Sequence, residues 1–283
     1  MGQAADEQDL TGRVALVTGA GSGIGAATAR ALARHGAAVA VTDLVGESAE
    51  RVAKGIEQSG GRAVAHVLDV AAEDAWAAAV ARTEAELGPI TVLHGNAAPT
   101  GGGVMNRDLD VANMDGDLWD FMMTVVLRGN MLGCKHVIPS MTSAGGGSIV
   151  LTTSIKGRMG SSARTAYSVA KAGLDQLVRM VATGYGRFGI RCNGIAPGII
   201  GTPGLRETAG EEYVANLLAA QLIPRLGTAE DIAAAAVYLA SEASSFMTAQ
   251  TLVIDGGLSA YLPVMSPPLA MDEHVRARSG GGH

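Results

Sequence analysis

Aromatic side chains are scarce, with Phe, Trp and Tyr together making up 4% of the 283 residues. A core must therefore be built from Ala, Val, Leu and Ile, which suits closely packed layers of helix and sheet. Cysteine occurs twice, as Cys134 and Cys192, each inside an apolar periodic stretch. That excludes a disulfide framework and fits two buried free thiols in a reducing, cytoplasmic setting. Charged residues are few at 17%, the net charge is -6, and no run of Lys or Arg occurs. Nucleic acid and anionic membranes are thus not expected partners. No membrane span is expected, since no stretch of about 18 uninterrupted apolar residues occurs. Met1–Leu10 is polar and acidic, unlike a secretion signal, and Asp6 stands where a Gly2 myristoylation motif wants Ser or Thr. His66 and His136 share no ligand spacing with another His or Cys, so no metal site is expected.

What the chain has in quantity is glycine, 39 residues, set between alternating strand-like and helix-like segments. The strand-like runs are Val14–Thr18, Ala37–Thr42, Arg62–Leu68, Ile90–His94, Ser148–Thr152, Ile190–Ile195 and Thr251–Ile254. Helical spacing marks Ile24–His35, Glu47–Ser59, Glu73–Leu87, a long segment Leu118–Ser143, Ala163–Phe188 and Ala229–Ala240. Continuous apolar strands joined through helices predict a parallel sheet covered on both faces. Right-handed crossovers then predict an α/β fold, a Rossmann-like, doubly wound, seven-stranded parallel sheet. Residues 1–258 are expected to form one domain, and 259–283 a tail whose last residues, Ser279–His283, are flexible.

The first strand runs straight into Gly19-Ala20-Gly21-Ser22-Gly23-Ile24-Gly25, and a helix follows. Glycine lets a backbone turn sharply and approach a pyrophosphate, while the helix N-terminus offers free N–H groups and a positive dipole. Asp43 follows the second strand, 18 residues after Gly25, where a carboxylate can accept from both hydroxyls of an adenosine ribose. A 2′-phosphate there would meet like charge, and neither Ser22 nor Leu44 supplies a cation. This favours NAD over NADP.

Tyr167 and Lys171 stand four apart on one predicted helix face. A cation beside a phenol lowers its pKa towards the range useful for proton transfer. Ser154 lies 13 residues before Tyr167, just past the tip of the fifth strand, where a hydroxyl can hold a substrate oxygen.

These motifs, spread from about Leu10 to Leu258, resemble those of the short-chain dehydrogenase/reductase family in its single-domain branch. Thr18-Gly19, Gly23, Ile24 and Gly25 are similar to its cofactor turn, and Leu68-Asp69-Val70 to the segment that holds adenine. Asn96-Ala97 matches part of its Asn-Asn-Ala-Gly signature, with Gly95 in place of the first Asn and Ala98 in place of the last Gly. Pro197-Gly198, with Ile200 and Thr202 after it, is similar to the nicotinamide-contacting segment, and Ile254–Gly257 to the final strand and turn. The resemblance implies a catalytic set of Ser154, Tyr167 and Lys171, with Lys171 also binding the nicotinamide ribose. It implies hydride transfer between NAD and a secondary alcohol or ketone, and a homotetramer. One departure stands out: the family's usual helix Asn is Val126, and an Asn follows four residues later as Asn130. Asn130 either serves the same proton relay from one turn along or caps a neighbouring loop.

His94 is read as a hydrogen-bonded structural histidine, and Asp108–Asp120, with five Asp, as a solvated loop and helix start. Gly201–Ile223 occupies the place of the family's lid. Leu205, Tyr213, Leu217, Leu218 and Leu222 make it partly apolar, and Glu207, Glu211 and Glu212 oppose small anions, so a neutral, hydrophobic substrate is expected. Two other functions compete: isomerase or dehydratase chemistry on the same turn, and nucleotide binding for regulation without turnover.

Overall fold

A computed structural model describes residues 7–260, apart from the side chains of Arg206, Glu207, Thr208, Glu211 and Tyr213. Each apolar run forms a strand: β1 (Val14–Thr18), β2 (Ala38–Asp43), β3 (Arg62–Val67), β4 (Val92–Gly95), β5 (Gly147–Thr152), β6 (Ile190–Pro197) and β7 (Thr251–Ile254). The helices before β5 are α1 (Gly23–Arg34), α2 (Gly46–Gln58), α3 (Glu73–Leu87), the single turn α4 (Gly102–Met105), α5 (Gly116–Met122) and α6 (Gly129–Ser143). After β5 come α7 (Thr165–Tyr185), α8 (Pro203–Thr208), α9 (Glu211–Ala219) and α10 (Ala229–Ala240). All strands pair in parallel, in the order β3-β2-β1-β4-β5-β6-β7. The chain winds outward from β1 to β3, crosses back to β4 and winds out the other way. This is the doubly wound Rossmann-like sheet that the sequence predicts, and its reversal between β1 and β4 opens a crevice at the strands' carboxyl ends.

Alternation along each strand sends side chains to the two faces of the sheet. Leu16, Leu93, Ile149 and Leu151 pack on one face with Trp76, Leu132, Leu174 and Val178. Ala15, Val17, Val39 and Val41 pack on the other with Ala26, Ala29, Leu32, Ala233 and Val237. The buried small residues of α1 and α10, Ala26, Ala29, Ala233 and Ala236 among them, let these two helices approach closely.

The long segment Leu118–Ser143 is not one helix. It forms α5, then a π-helical stretch Met123–Arg128, then α6. A π turn carries an extra residue and leaves backbone groups poorly paired. Here the Val126 carbonyl accepts from the buried Asn130 Nδ2 at 2.7 Å. A Cβ at Gly95 would come within 2.0 Å of Asn130 Oδ1, so Gly95 makes room for this side chain. The two departures from the family pattern, at Gly95 and at Val126/Asn130, are therefore one packing arrangement. Among the described residues the Asn130 amide bonds within the π turn rather than to a neighbouring loop.

Candidate active site

A cavity of about 850 Å³ opens at the carboxyl ends of the strands, at the topological switch point. Gly19, Ser22, Gly23 and Ile24 form its wall at the end of β1, with Asp43 and Leu44 after β2 and Leu68, Asp69 and Val70 after β3. Asn96 and Ala97 follow β4, Thr152, Ser154, Tyr167 and Lys171 come from β5 and α7, and Pro197, Gly198, Ile200 and Thr202 follow β6. Two predicted contacts, Gly21 and Gly25, do not line the cavity. They shape the turn from behind: a Cβ at Gly25 would meet the Gly19 carbonyl oxygen at 2.2 Å, and one at Gly21 would meet Ser48 Cβ at 2.6 Å. Gly19 and Gly23 have φ of +61° and +51°, a conformation that side-chain-bearing residues adopt at a cost.

This cradle suits a dinucleotide. Ser22 is the N-cap of α1, yet its side chain caps no backbone N–H, so the first turn of α1 keeps donors for an anion. Asp43 Oδ2 accepts from Gly21 N at 2.9 Å and Oδ1 from Val45 N at 3.0 Å, which pins the glycine turn while leaving lone pairs towards the cavity. Arg51 is spent on Ser48 Oγ at 2.8 Å and does not line the cavity. Asn96 acts as a strut rather than offering free polar atoms. Its backbone N and its Nδ2 bind Thr18 Oγ1 and the Thr18 carbonyl, and its Oδ1 accepts from Thr152 Oγ1 at 3.2 Å. Because the Thr152 hydroxyl proton goes to Asn96, Thr152 Oγ1 accepts from His94 Nε2 at 2.9 Å. Burial pushes the His94 pKa down to about 3, helped by the charge of Lys171, so its imidazole is neutral.

At the other end of the cavity, α7 buries Ala166, Ala170, Leu174 and Val178 at four-residue spacing. That stripe leaves Tyr167 and Lys171, one position round the helix, facing the cavity. Lys171 Nζ donates to the Thr152 carbonyl at 2.5 Å and sits 5.6 Å from the Tyr167 ring centroid. Burial lowers its pKa to about 7. The Ser154 hydroxyl near the Tyr167 phenol pulls it down, against a larger upward push from burial. Net, the phenol lies above its ordinary range, so the lowering by Lys171 expected from spacing is not the dominant effect here. Ser154 Oγ also accepts from Lys156 N at 3.1 Å, which fixes its rotamer at the start of a 3₁₀ turn.

Other parts of the site carry no local sequence signal. Asp108, expected in a solvated loop, is 1% exposed and accepts from Ala166 N at 3.0 Å and Tyr167 N at 2.9 Å. It caps the helix of Tyr167 from 58 residues away, because the true N-cap, Arg164, has no capping side chain. Asp110 and Asp115 do behave as expected, capping a 3₁₀ turn and α5. Met105, Phe121, Val125, Met159, Lys156 and Arg164 complete the wall. Leu205 on α8 and Leu217 on α9 reach it, whereas Leu218, Leu222 and Glu212 do not. The predicted contributions of Glu207, Glu211 and Tyr213 fall on side chains outside the described residues, as does the tail beyond residue 260. Both cysteines are buried and free. Among the described residues no cluster of His, Cys, Asp or Glu could hold a metal ion, and no helix is long and apolar enough to cross a membrane.

A doubly wound sheet, with a glycine cradle and a hydroxyl–phenol–ammonium group facing one crevice at its switch point, defines a Rossmann-type oxidoreductase. The chain belongs to the short-chain dehydrogenase/reductase family: residues 19–259 match the family model described as enoyl-(acyl carrier protein) reductase. It is 42% identical over 248 residues to cis-4-hydroxycyclohexanecarboxylate dehydrogenase of Sinomonas cyclohexanicum, covering 88% of this chain and 97% of that protein. A 7α-hydroxysteroid dehydrogenase solved with NADH and 7-oxo glycochenodeoxycholic acid superposes with a TM-score of 0.85 at 33% identity, over 90% of this chain and 98% of that one. A gluconate 5-dehydrogenase from Burkholderia cenocepacia, solved with NADP and tartrate, superposes with a TM-score of 0.86 at 32% identity, over 92% of this chain and 100% of that one.

Proposed function

We propose that the chain is an NAD-dependent dehydrogenase that interconverts a secondary alcohol and a ketone, with Tyr167 as its general acid and base. The observation that carries this reading is a single cavity. It joins the glycine turn and Asp43 at one end to Ser154, Tyr167 and Lys171 at the other. A nicotinamide, when bound, supplies the hydride donor or acceptor. Ser154 would hold the substrate oxygen in place through its hydroxyl. Tyr167 would give its phenolic proton to that oxygen during reduction and take it back during oxidation. Lys171, its Nζ 5.6 Å from the Tyr167 ring centroid, would favour the phenolate while it is protonated and bind the ribose on that side of the cavity. Gly19, Ser22, Gly23 and Ile24 would hold the pyrophosphate, Asp43 and Leu44 the adenosine ribose, and Asp69 and Val70 the adenine. Pro197, Gly198, Ile200 and Thr202 would flank the nicotinamide. A cytoplasmic location fits the two free thiols.

Asp43 is the basis for choosing NAD, because a 2′-phosphate beside it would meet an unscreened carboxylate. Wild type is expected to favour NAD over NADP by at least about tenfold in kcat/KM, with Asp43→Ser narrowing or inverting that ratio. Steady-state absorbance of NADH and NADPH formation, over a panel of secondary alcohols, measures both the ratio and the activity. Equal kcat/KM for the two cofactors would rule out the NAD assignment. Absence of turnover with retained NADH binding would instead favour the regulatory reading.

We further propose a homotetramer. Phe121, Met131, Val169 and Met180 leave apolar surface exposed on α5, α6 and α7, and Val253 does so on the edge strand β7. Two such faces can pair about separate two-fold axes in closed dihedral symmetry. Light scattering at micromolar concentration is expected to give four chain masses, and a monomeric mass would contradict it.

A further inference from the structure

Charge is segregated along the cavity. The acidic residues on its wall, Asp43 and Asp69, lie at the strand ends beside the glycine turn, whereas Lys156 and Arg164 stand with Lys171 around Tyr167. Arg164 is unusual in two independent ways. Its backbone sits at φ +68°, a left-handed conformation that costs an arginine roughly 1–2 kcal/mol and that glycine or asparagine would adopt more easily. Its Nη1 is buried and has no hydrogen-bond partner among the described residues. Lys156 is half-buried, with Nζ 3.4 Å from Ser161 Oγ and in no ion pair among the described residues. Among the described residues Asp108 is the carboxylate that acts on Lys156, and both its oxygens already accept from the N–H groups of Ala166 and Tyr167. An unpaired buried donor and a half-desolvated cation are costly to maintain unless something fills them.

We propose that Arg164 and Lys156 form an anion subsite that receives a carboxylate on the substrate. The proposal rests on the reading of this cavity as a dehydrogenase site and narrows it: the substrate is a hydroxy or oxo acid rather than a neutral alcohol. The expectation of a neutral substrate drew on lid glutamates, of which Glu212 does not line the cavity. Arg164 precedes Tyr167 by three residues, roughly 5 Å along the helix axis. Arg164 and Tyr167 line the same cavity, so a carboxylate on Arg164 and a carbon at Tyr167 can belong to one substrate. Met105, Phe121, Val125, Met159, Leu205 and Leu217 supply an apolar wall for the skeleton in between. A guanidinium suits this task because its planar fork can bind a carboxylate through two parallel hydrogen bonds.

The test uses cyclohexanecarboxylate and cyclohexanecarboxamide, matched in shape and differing in charge, as probes that need no turnover. Calorimetric binding to the full chain saturated with NADH is expected to favour the acid by about tenfold or more, the scale of a hydrogen bond to a charged group. Arg164→Asn keeps a residue that tolerates the left-handed backbone and removes the cation, so it is expected to erase most of that preference while the melting temperature holds. Lys156→Met is expected to reduce it further. Equal affinity for acid and amide, binding of neither, or a preference that survives in the double variant would overturn the subsite. Turnover of neutral alcohols without discrimination between acid and amide would remove the subsite and leave the dehydrogenase reading standing. Selective binding of the acid without turnover of any hydroxy acid would do the reverse.

Discussion

Replacing Tyr167 by Phe is expected to lower kcat by about 10²- to 10⁴-fold, the usual scale for a positioned acid–base group, while NADH still binds. Phe fills the same volume beside Ala166 and Ala170 and removes only the hydroxyl that meets Ser154. The pH dependence gives a second readout. Burial holds the phenol above its ordinary range, so alcohol oxidation, which needs the phenolate, should accelerate as pH rises. Ketone reduction needs the neutral phenol and should instead fall off only at high pH. In the Phe variant both limbs should flatten together with the loss of kcat. Cofactor fluorescence titration alongside steady-state rates separates the outcomes. Undiminished turnover with normal NADH affinity would remove Tyr167 from the chemistry.

Asp108→Ala is expected to cost about 2–6 kcal/mol of folding free energy, because it strands the N–H groups of Ala166 and Tyr167 at about 1–3 kcal/mol each. The loss should also reach catalysis. The carboxylate holds the N–H of Tyr167 itself, and the Asp108 carbonyl accepts from Arg164 N at 2.9 Å. With the carboxylate gone and only the main-chain carbonyl still holding Arg164 N, the first turn of α7 can fray and misdirect Tyr167. A fall in kcat of about tenfold is expected, in line with the sensitivity of near-attack geometry to small displacements. Asp108→Asn, which keeps one acceptor oxygen, should fall between wild type and Ala on both measures. Denaturant unfolding and kinetics on the three proteins test this. A loss below about 0.5 kcal/mol, the level of an ordinary surface substitution, would return Asp108 to the solvated role first expected of it.

Strand and helix order was legible in the sequence because burial on both sheet faces writes continuous apolar runs, and helices write their own period. The glycine turn was legible because backbone conformation and close approach restrict residue type within a few neighbouring positions. Tyr167 and Lys171 were legible because four-residue spacing on a helix is already a spatial relation. The same locality explains what went unseen. Nothing near Asp108 marks it as the cap of a helix that starts 57 residues later, since the contact exists only after the loop folds back. Gly95 and Asn130 each look like isolated departures until the sheet places one against the other across the π turn.

Thus the chain's own periodicities and glycines determined the doubly wound sheet, the switch-point crevice and the Tyr167–Lys171 pair that faces it. Short-range sterics and burial decide those. Only the tertiary structure decided the sign of the Tyr167 shift, the neutrality of His94 and the cationic lining around Arg164. Each of these depends on desolvation and on partners brought from distant segments, and neither quantity exists before the chain is packed.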